Sequence, residues 1–369
     1  MEFELPPDAM MLRDLLRKFI QKEARPLEMK YFTSGTLEPK ERARLRQAIE
    51  QMGLWGLTVP EAYGGGLDTV SACLIEEELG KTFIPIEIGE VAAPLYACRD
   101  GQIASFLEPA LAGERRGVLA VREPGPGGCI PEHWITAAGL ITGQGYSIRG
   151  RKSLAVMPEA EDFIILYARA PQGISAFLLD ADHPGLSYPV GEEVILEIDG
   201  CQAGEDALLG EPGSALALGA GEAPRAWIRT GARYVGMVER LIEMSSEHGR
   251  DWVSLGAALA VRPAIQRMLA EMRVDVESGR WLVYHAAWLA DTSGDGALRG
   301  PAAQVRLATG EMLQRSVDRA TMLFAGPGTS EQIEPNRLVQ SQVPAEALQL
   351  ALDQARAVIA AEMLSLESV

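Results

Sequence analysis

The chain has 369 residues, 47% of them hydrophobic and 23% charged, and a formal net charge of −17. That length calls for two or three packed layers or domains rather than one core. The acidic balance argues against nucleic acid or an anionic membrane surface as partner, since both need basic patches; solubility alone is an equally good reason for it. The four cysteines (Cys73, Cys98, Cys129, Cys201) have no CxxC spacing, and the four histidines (His133, His183, His248, His285) form no HxxxH pattern, so neither a disulfide framework nor a metal site is expected. No basic-plus-apolar leader precedes MEFELPPDAMML, and no apolar run approaches the ~18 residues of a membrane span, so a cytoplasmic protein is expected.

In chain order, the first block, residues 1–118, reads as helical. Apolar residues recur at helical spacing over 10–19 and again over 38–52. Over 69–83, Val70, Cys73 and Leu74 share one face and Glu76 is turned away, as in an amphipathic helix. The triplet Gly64-Gly65-Gly66 is a loop, open to two readings, a tight turn between helices or a ligand contact. Block 119–217 switches to short strands: 117–121, an alternating stretch at 140–148, and the apolar runs 163–168 and 174–179. A small β-domain, barrel or sandwich, is predicted. In block 218–369, long helical stretches at 228–248, 262–291, 300–324 and 345–366 read as an antiparallel four-helix bundle. Trp281, Tyr284 and Trp288 share one face of the second stretch and are expected to pack in the core.

Several motifs punctuate this order. They are MGLWGLTVPEAYGGG at 52–66 with IEEELGKT at 75–82, REPGPGG at 122–128, GRK at 150–152 and GISAFLLDADHPGLS at 173–187, followed by PAIQRMLAEM at 263–272, FAGPG at 324–328 and VIAAEM at 358–363. Together they resemble the flavin-dependent acyl-CoA dehydrogenases over the whole chain. The resemblance implies that family's fold: an N-terminal α-helical domain (1–118), a middle β-barrel or sandwich (119–217) and a C-terminal four-helix bundle (218–369).

The family's reaction implies a carboxylate that removes the substrate α-proton while the β-hydride passes to the flavin. An ungapped alignment on 358–363 places Gln349 at the usual Glu position, and counting back from Gly236 places Ala226 at the alternative one. No catalytic residue is therefore intact. Glu346 and Glu222 lie one helical turn earlier, either as substitutes or as solvated helix-end carboxylates. At the implied flavin contacts stand Arg122-Glu123-Pro124, Leu154-Ala155-Val156-Met157 and Leu350-Ala351-Leu352-Asp353, without the family's hydroxyl and indole groups. For the dinucleotide tail, Trp252 and Met322 replace an implied Arg and Gln. Arg250, Gly326 and Gly328 remain as candidate cofactor-binding residues. Arg250 reads as a displaced pyrophosphate ligand or an exposed charge, the glycines as a close-approach loop or a connecting turn.

A kept framework with replaced site residues implies, through the resemblance, the degenerate subunit of a heteromeric α2β2 acyl-CoA dehydrogenase, like those of bacterial steroid side-chain catabolism. The substrate would be a bulky or branched acyl-CoA. FAD would sit at or near a shared subunit interface, weakly held or absent in the isolated chain. The partners would be a homologous base-bearing subunit and an electron-transfer flavoprotein. Two alternatives stand beside it: a base-free flavin enzyme of monooxygenase type, and a nonenzymatic acyl-CoA-binding or scaffold protein.

Overall fold

The N-terminal periodicity becomes α1 (Pro7–Phe19), α2 (Glu28–Ser34), α3 (Pro39–Gln51) and α4 (Thr69–Leu79). These belong to a computed structural model that describes residues 7–125, 127–128, 130–141, 143–191, 193–293, 298–324, 335–340, 342–343 and 345–365. Pro39 opens α3, where a missing N–H costs nothing, and Asp68 caps α4 by accepting from the Ser71 amide at 2.8 Å. After the short α5 (Glu108–Leu111) come β1 (Gly117–Ala120), β2 (Ala137–Ile141), β3 (Gly145–Leu154), β4 (Phe163–Ala170), β5 (Gly173–Asp180), β6 (Leu186–Ser187), β7 (Val194–Ala203) and β8 (Leu208–Leu209). Then follow α6 (Ala223–Asp251), the hairpin β9 (Val253–Ser254) and β10 (Ala257–Ala258), α7 (Pro263–Thr292), α8 (Arg299–Phe324), α9 (Pro335–Gln340) and α10 (Ala345–Met363).

Backbone contacts divide the chain into two compact units. One comprises Met1–Glu61, Gly65–Ile88 and Pro224–Val369; the other comprises Ala62–Gly64 and Gly89–Ala223. The second unit holds an eight-stranded sheet ordered β6-β7-β3-β2-β4-β5-β8, with β1 paired in parallel to β4. Ile164, Leu166 and Ala168 of β4 enter one core with Ile148 and Phe177, while Phe163, Ile165 and Tyr167 enter another with Leu178 and Trp134. Burial on both faces is why β4 and β5 read as unbroken apolar runs. The stretch 140–148, read as one strand, is instead a hairpin: β2 ends at Ile141, Gly143 and Gly145 take positive φ, and β3 begins. Alternation on both arms hid the turn.

In the first unit, α6, α7, α8 and α10 share a core with Cys73 of α4, and α1, α3 and α4 close a second one. α4 is not amphipathic as expected. Glu76, Glu77 and Glu78 are all buried, facing Arg233, Arg280, Arg17 and Lys81. The aromatic face of α7 also departs from expectation. Tyr284 turns inward and donates to Glu77 at 3.1 Å, whereas Trp281 and Trp288 remain more than half exposed. Among the described residues no helix is long and apolar enough to cross a membrane, and no cluster of three potential metal ligands occurs.

Candidate active site

Gln349 lies on an exposed face of α10, and its amide Nε2 donates to Asp353 Oδ1, one turn on, at 3.1 Å. Asp353 also accepts from Arg356 at 2.8 Å, and Arg356 reaches Glu311 of α8 at 2.8 Å. The position thus holds a neutral donor tied into a polar chain along its own helix. The next residues turn into the core: Ala351 is 7% and Leu352 0% exposed.

Ala226 sits half-buried in the first turn of α6, its carbonyl accepting from Thr230 Oγ1 at 2.8 Å. Beside it the Trp227 ring carries the Arg306 guanidinium at 4.7 Å. Burial lowers the pKa of Arg306, which has no carboxylate partner among the described residues. A cation and an indole, rather than a base, neighbour this position.

Trp252, at the end of α6, stacks on His248 at 5.6 Å, and His248 stacks on Phe324 at 4.4 Å. The indole is a packing residue in a ring stack. Met322 is 62% exposed. Arg250 is exposed on the last turn of α6 and lines a cleft with Arg25, Lys81, Arg240 and Arg273 of the same unit. Gly326, Gly328 and the Glu346 side chain lie outside the described residues.

In the sheet unit the turn after β1 is pinned by a buried pair, Glu123, which stood among the implied flavin contacts, and Lys152 of the GRK motif. Glu123 accepts from the Ile135 and Thr136 amides at 2.8 Å each and from Lys152 at 3.2 Å. Lys152 is fully buried 4.1 Å from the Trp134 ring centroid, and Trp134 Nε1 donates to Gly128 O at 2.8 Å. Burial lowers the Lys152 pKa to about 8, against the pull of Glu123. Two clues were in the sequence: the Glu of REPGPGG and the Lys of GRK. Arg122 donates to Ser153 Oγ at 2.9 Å and pairs with Glu193, whose pKa is lowered first by the Ser153 hydroxyl and then by Arg122. Of the residues implied to meet a flavin ring, Leu154 is buried in the sheet core, while Val156 and Met157 are exposed. None of these three side chains can donate a hydrogen bond.

Gly65 is structural: a Cβ there would lie 2.1 Å from Val59 O, so only glycine fits.

The Acyl-CoA dehydrogenase N-terminal domain model matches residues 6–114 and the C-terminal domain model matches 225–344. The (R)-benzylsuccinyl-CoA dehydrogenase of Thauera aromatica is 32% identical over 90% of this chain and 89% of its own length. The chain belongs to the acyl-CoA dehydrogenase family, whose members are oxidoreductases acting on a CH–CH group. A second relative, the (2S)-methylsuccinyl-CoA dehydrogenase of Cereibacter sphaeroides, is 26% identical over 89% of this chain and 64% of that one. Butyryl-CoA dehydrogenase of Megasphaera elsdenii shares the fold, with a TM-score of 0.81, 22% identity, and coverage of 99% of this chain and 100% of that one.

Proposed function

We propose that this chain is a subunit of a heteromeric acyl-CoA dehydrogenase. A homologous subunit would supply the proton-abstracting carboxylate and most of the flavin grip. This chain would contribute bundle packing and part of the acyl cavity. One observation carries the reading: Gln349 occupies the implied base position as a hydrogen-bond donor to Asp353. An amide cannot accept the α-proton at neutral pH, and Ala226 offers no substitute at the alternative position.

FAD is the family's electron acceptor, but the side chains at the implied ring contacts do not fit its polar edge. Leu154, Val156 and Met157 leave ring nitrogens and carbonyls unmatched, which costs affinity. No step is therefore assigned to a flavin on this chain alone. The proposed substrate is a branched or bulky acyl-CoA. The names of the two relatives, benzylsuccinyl- and methylsuccinyl-CoA dehydrogenase, denote such acyl groups. An electron-transfer flavoprotein would take the electrons from the complex.

Flavin content tests this directly. Purified alone, the chain is expected to hold well below one flavin per subunit by absorbance, and to gain flavin and activity when co-purified with its homologous partner. A stoichiometric, tightly held flavin in the isolated chain overturns the reading.

A further inference from the structure

Arg306 reaches from α8 to α6, where its guanidinium lies 4.7 Å from the Trp227 ring centroid. Among the described residues it makes no hydrogen bond and no ion pair. The ionisable group that acts on it is Tyr234, two turns further along α6, a buried phenol whose own pKa is raised by burial and which is therefore neutral. Its neighbour on α6, Arg233, shows the usual solution and gives its Nε to Glu76 at 2.6 Å.

A half-buried guanidinium without a counter-ion is costly, and burial lowers its pKa accordingly. Its nitrogens have no partner, yet none is among the fully buried polar atoms that lack one, so they are open to an incoming group. The indole covers one face of the guanidinium and leaves its N–H edge free. That edge matches the two oxygens of a carboxylate. A phosphate dianion would call for further cations, and Arg233 is committed to Glu76.

The surroundings indicate what would carry the carboxylate. Trp227 and Leu307 pack against Ala303, Ala355 and Val358, an apolar cluster of α8 and α10. Ala226, the alternative position for the base, immediately precedes Trp227. A ligand that reaches Arg306 from that position meets apolar side chains first and a lone cation at the end.

We infer that Arg306, seated on Trp227, binds a carboxylate at the far end of the acyl group, so that the substrate is the CoA monothioester of a dicarboxylic acid. This deepens the proposed function and rests on it for the acyl-CoA part. A free dicarboxylate shares the chemistry and is separated by the test.

The test is calorimetric titration of the full-length protein, alone and in complex with any homologous chain that co-purifies. The probes are glutaryl-CoA, valeryl-CoA and free glutarate. The two thioesters have acyl chains of equal length and differ in a terminal carboxylate against a methyl. Glutaryl-CoA is expected to bind at least about tenfold more tightly than valeryl-CoA, the worth of one charge-assisted contact. Arg306→Gln should abolish that preference and leave the affinity for valeryl-CoA unchanged. Arg306→Lys, which keeps the charge without the fork, should retain part of it. With no ion pair to lose, both variants should keep the wild-type far-ultraviolet circular dichroism. Glutarate bound as tightly as glutaryl-CoA, and released by Arg306→Gln, overturns the acyl-group assignment in favour of a free carboxylate. Equal affinity for the two thioesters, no binding of either, or a preference that survives Arg306→Gln overturns the inference. Flavin content of the same preparations tests the subunit reading separately, so the two can fail independently.

Discussion

Lys152 is fully buried between the Val121 carbonyl at 2.9 Å, Glu123 at 3.2 Å and the face of Trp134. Burial lowers its pKa to about 8. The unfolded chain then holds the proton more tightly, so this group's contribution to stability rises with pH from about 8 to the ordinary lysine value near 10.4. Glu123 acts at the acid end. Burial raises its pKa, but the Ile135 and Thr136 amides, the Thr136 side chain and Lys152 outweigh that and hold it low. Its contribution is present above the ordinary carboxylate value and lost as pH falls through the lowered one. Lys152→Met is expected to flatten the alkaline rise in melting temperature between about pH 8 and 10. Glu123→Gln should instead destabilise by about 3 kcal/mol, because it leaves Lys152 buried and poorly paired. Thermal melts across pH distinguish the two effects. Gln349→Glu is expected not to create dehydrogenase activity in the isolated chain, since a carboxylate alone supplies no flavin. That substitution also sets a second negative charge one helical turn before Asp353, a penalty of about 0.2–0.5 kcal/mol. Robust acyl-CoA-dependent dye reduction by that single variant would falsify the subunit reading.

α4 brings three successive carboxylates into the interior, which only dispersed partners make tolerable. Glu76 meets Arg233, Glu77 meets Arg280 and Tyr284, and Glu78 meets Arg17 and Lys81. Pairs this short require close backbones, and two glycines provide them. A Cβ on Gly236 of α6 would lie 2.0 Å from Glu77 O, and one on Gly80 would lie 2.2 Å from Arg233 O. Gly236→Ala should therefore push α4 off α6 and cost about 2 kcal/mol, despite alanine's better helix propensity. The denaturant midpoint reads this. A stabilised variant would mean that the helices can separate without losing the carboxylate–arginine pairs.

At the scale of the molecule, the uncovered apolar surface on α7 bears on assembly. Val274, Trp281 and Trp288 are 65%, 56% and 55% exposed and recur every seventh residue along one face. Such a row, on a helix whose other side is core, is the kind of surface that closes against another subunit. The protein is expected to sediment as an oligomer burying more than roughly 2,000 Å² per subunit pair, the range of permanent interfaces. Replacing Trp281 and Trp288 together by Glu should give a smaller species with unchanged far-ultraviolet circular dichroism. A stable wild-type monomer, with no homologous chain co-purifying, would remove the basis for the subunit proposal.

Periodicity and punctuation by themselves determined the strands β4 and β5, the helices α6, α7 and α8, and the motif order that marks the family. These depend on neighbours within a few residues, so local sequence carries them. The reading of Ala226 and Gln349 as the implied base positions likewise rests on residue identity alone. That Gln349 donates to Asp353 became visible only once α10 was built. The burial of Glu76, Glu77 and Glu78 could not be read from α4, because Arg233, Arg280 and Arg17 lie 157, 203 and 61 residues away. Trp281 and Tyr284 share a spacing but not a fate, since exposure depends on which distant helix covers each face. Arg250 gained its company of four cations in the same way. Charge pairing and burial are set between segments far apart in sequence, and only the tertiary structure decides them.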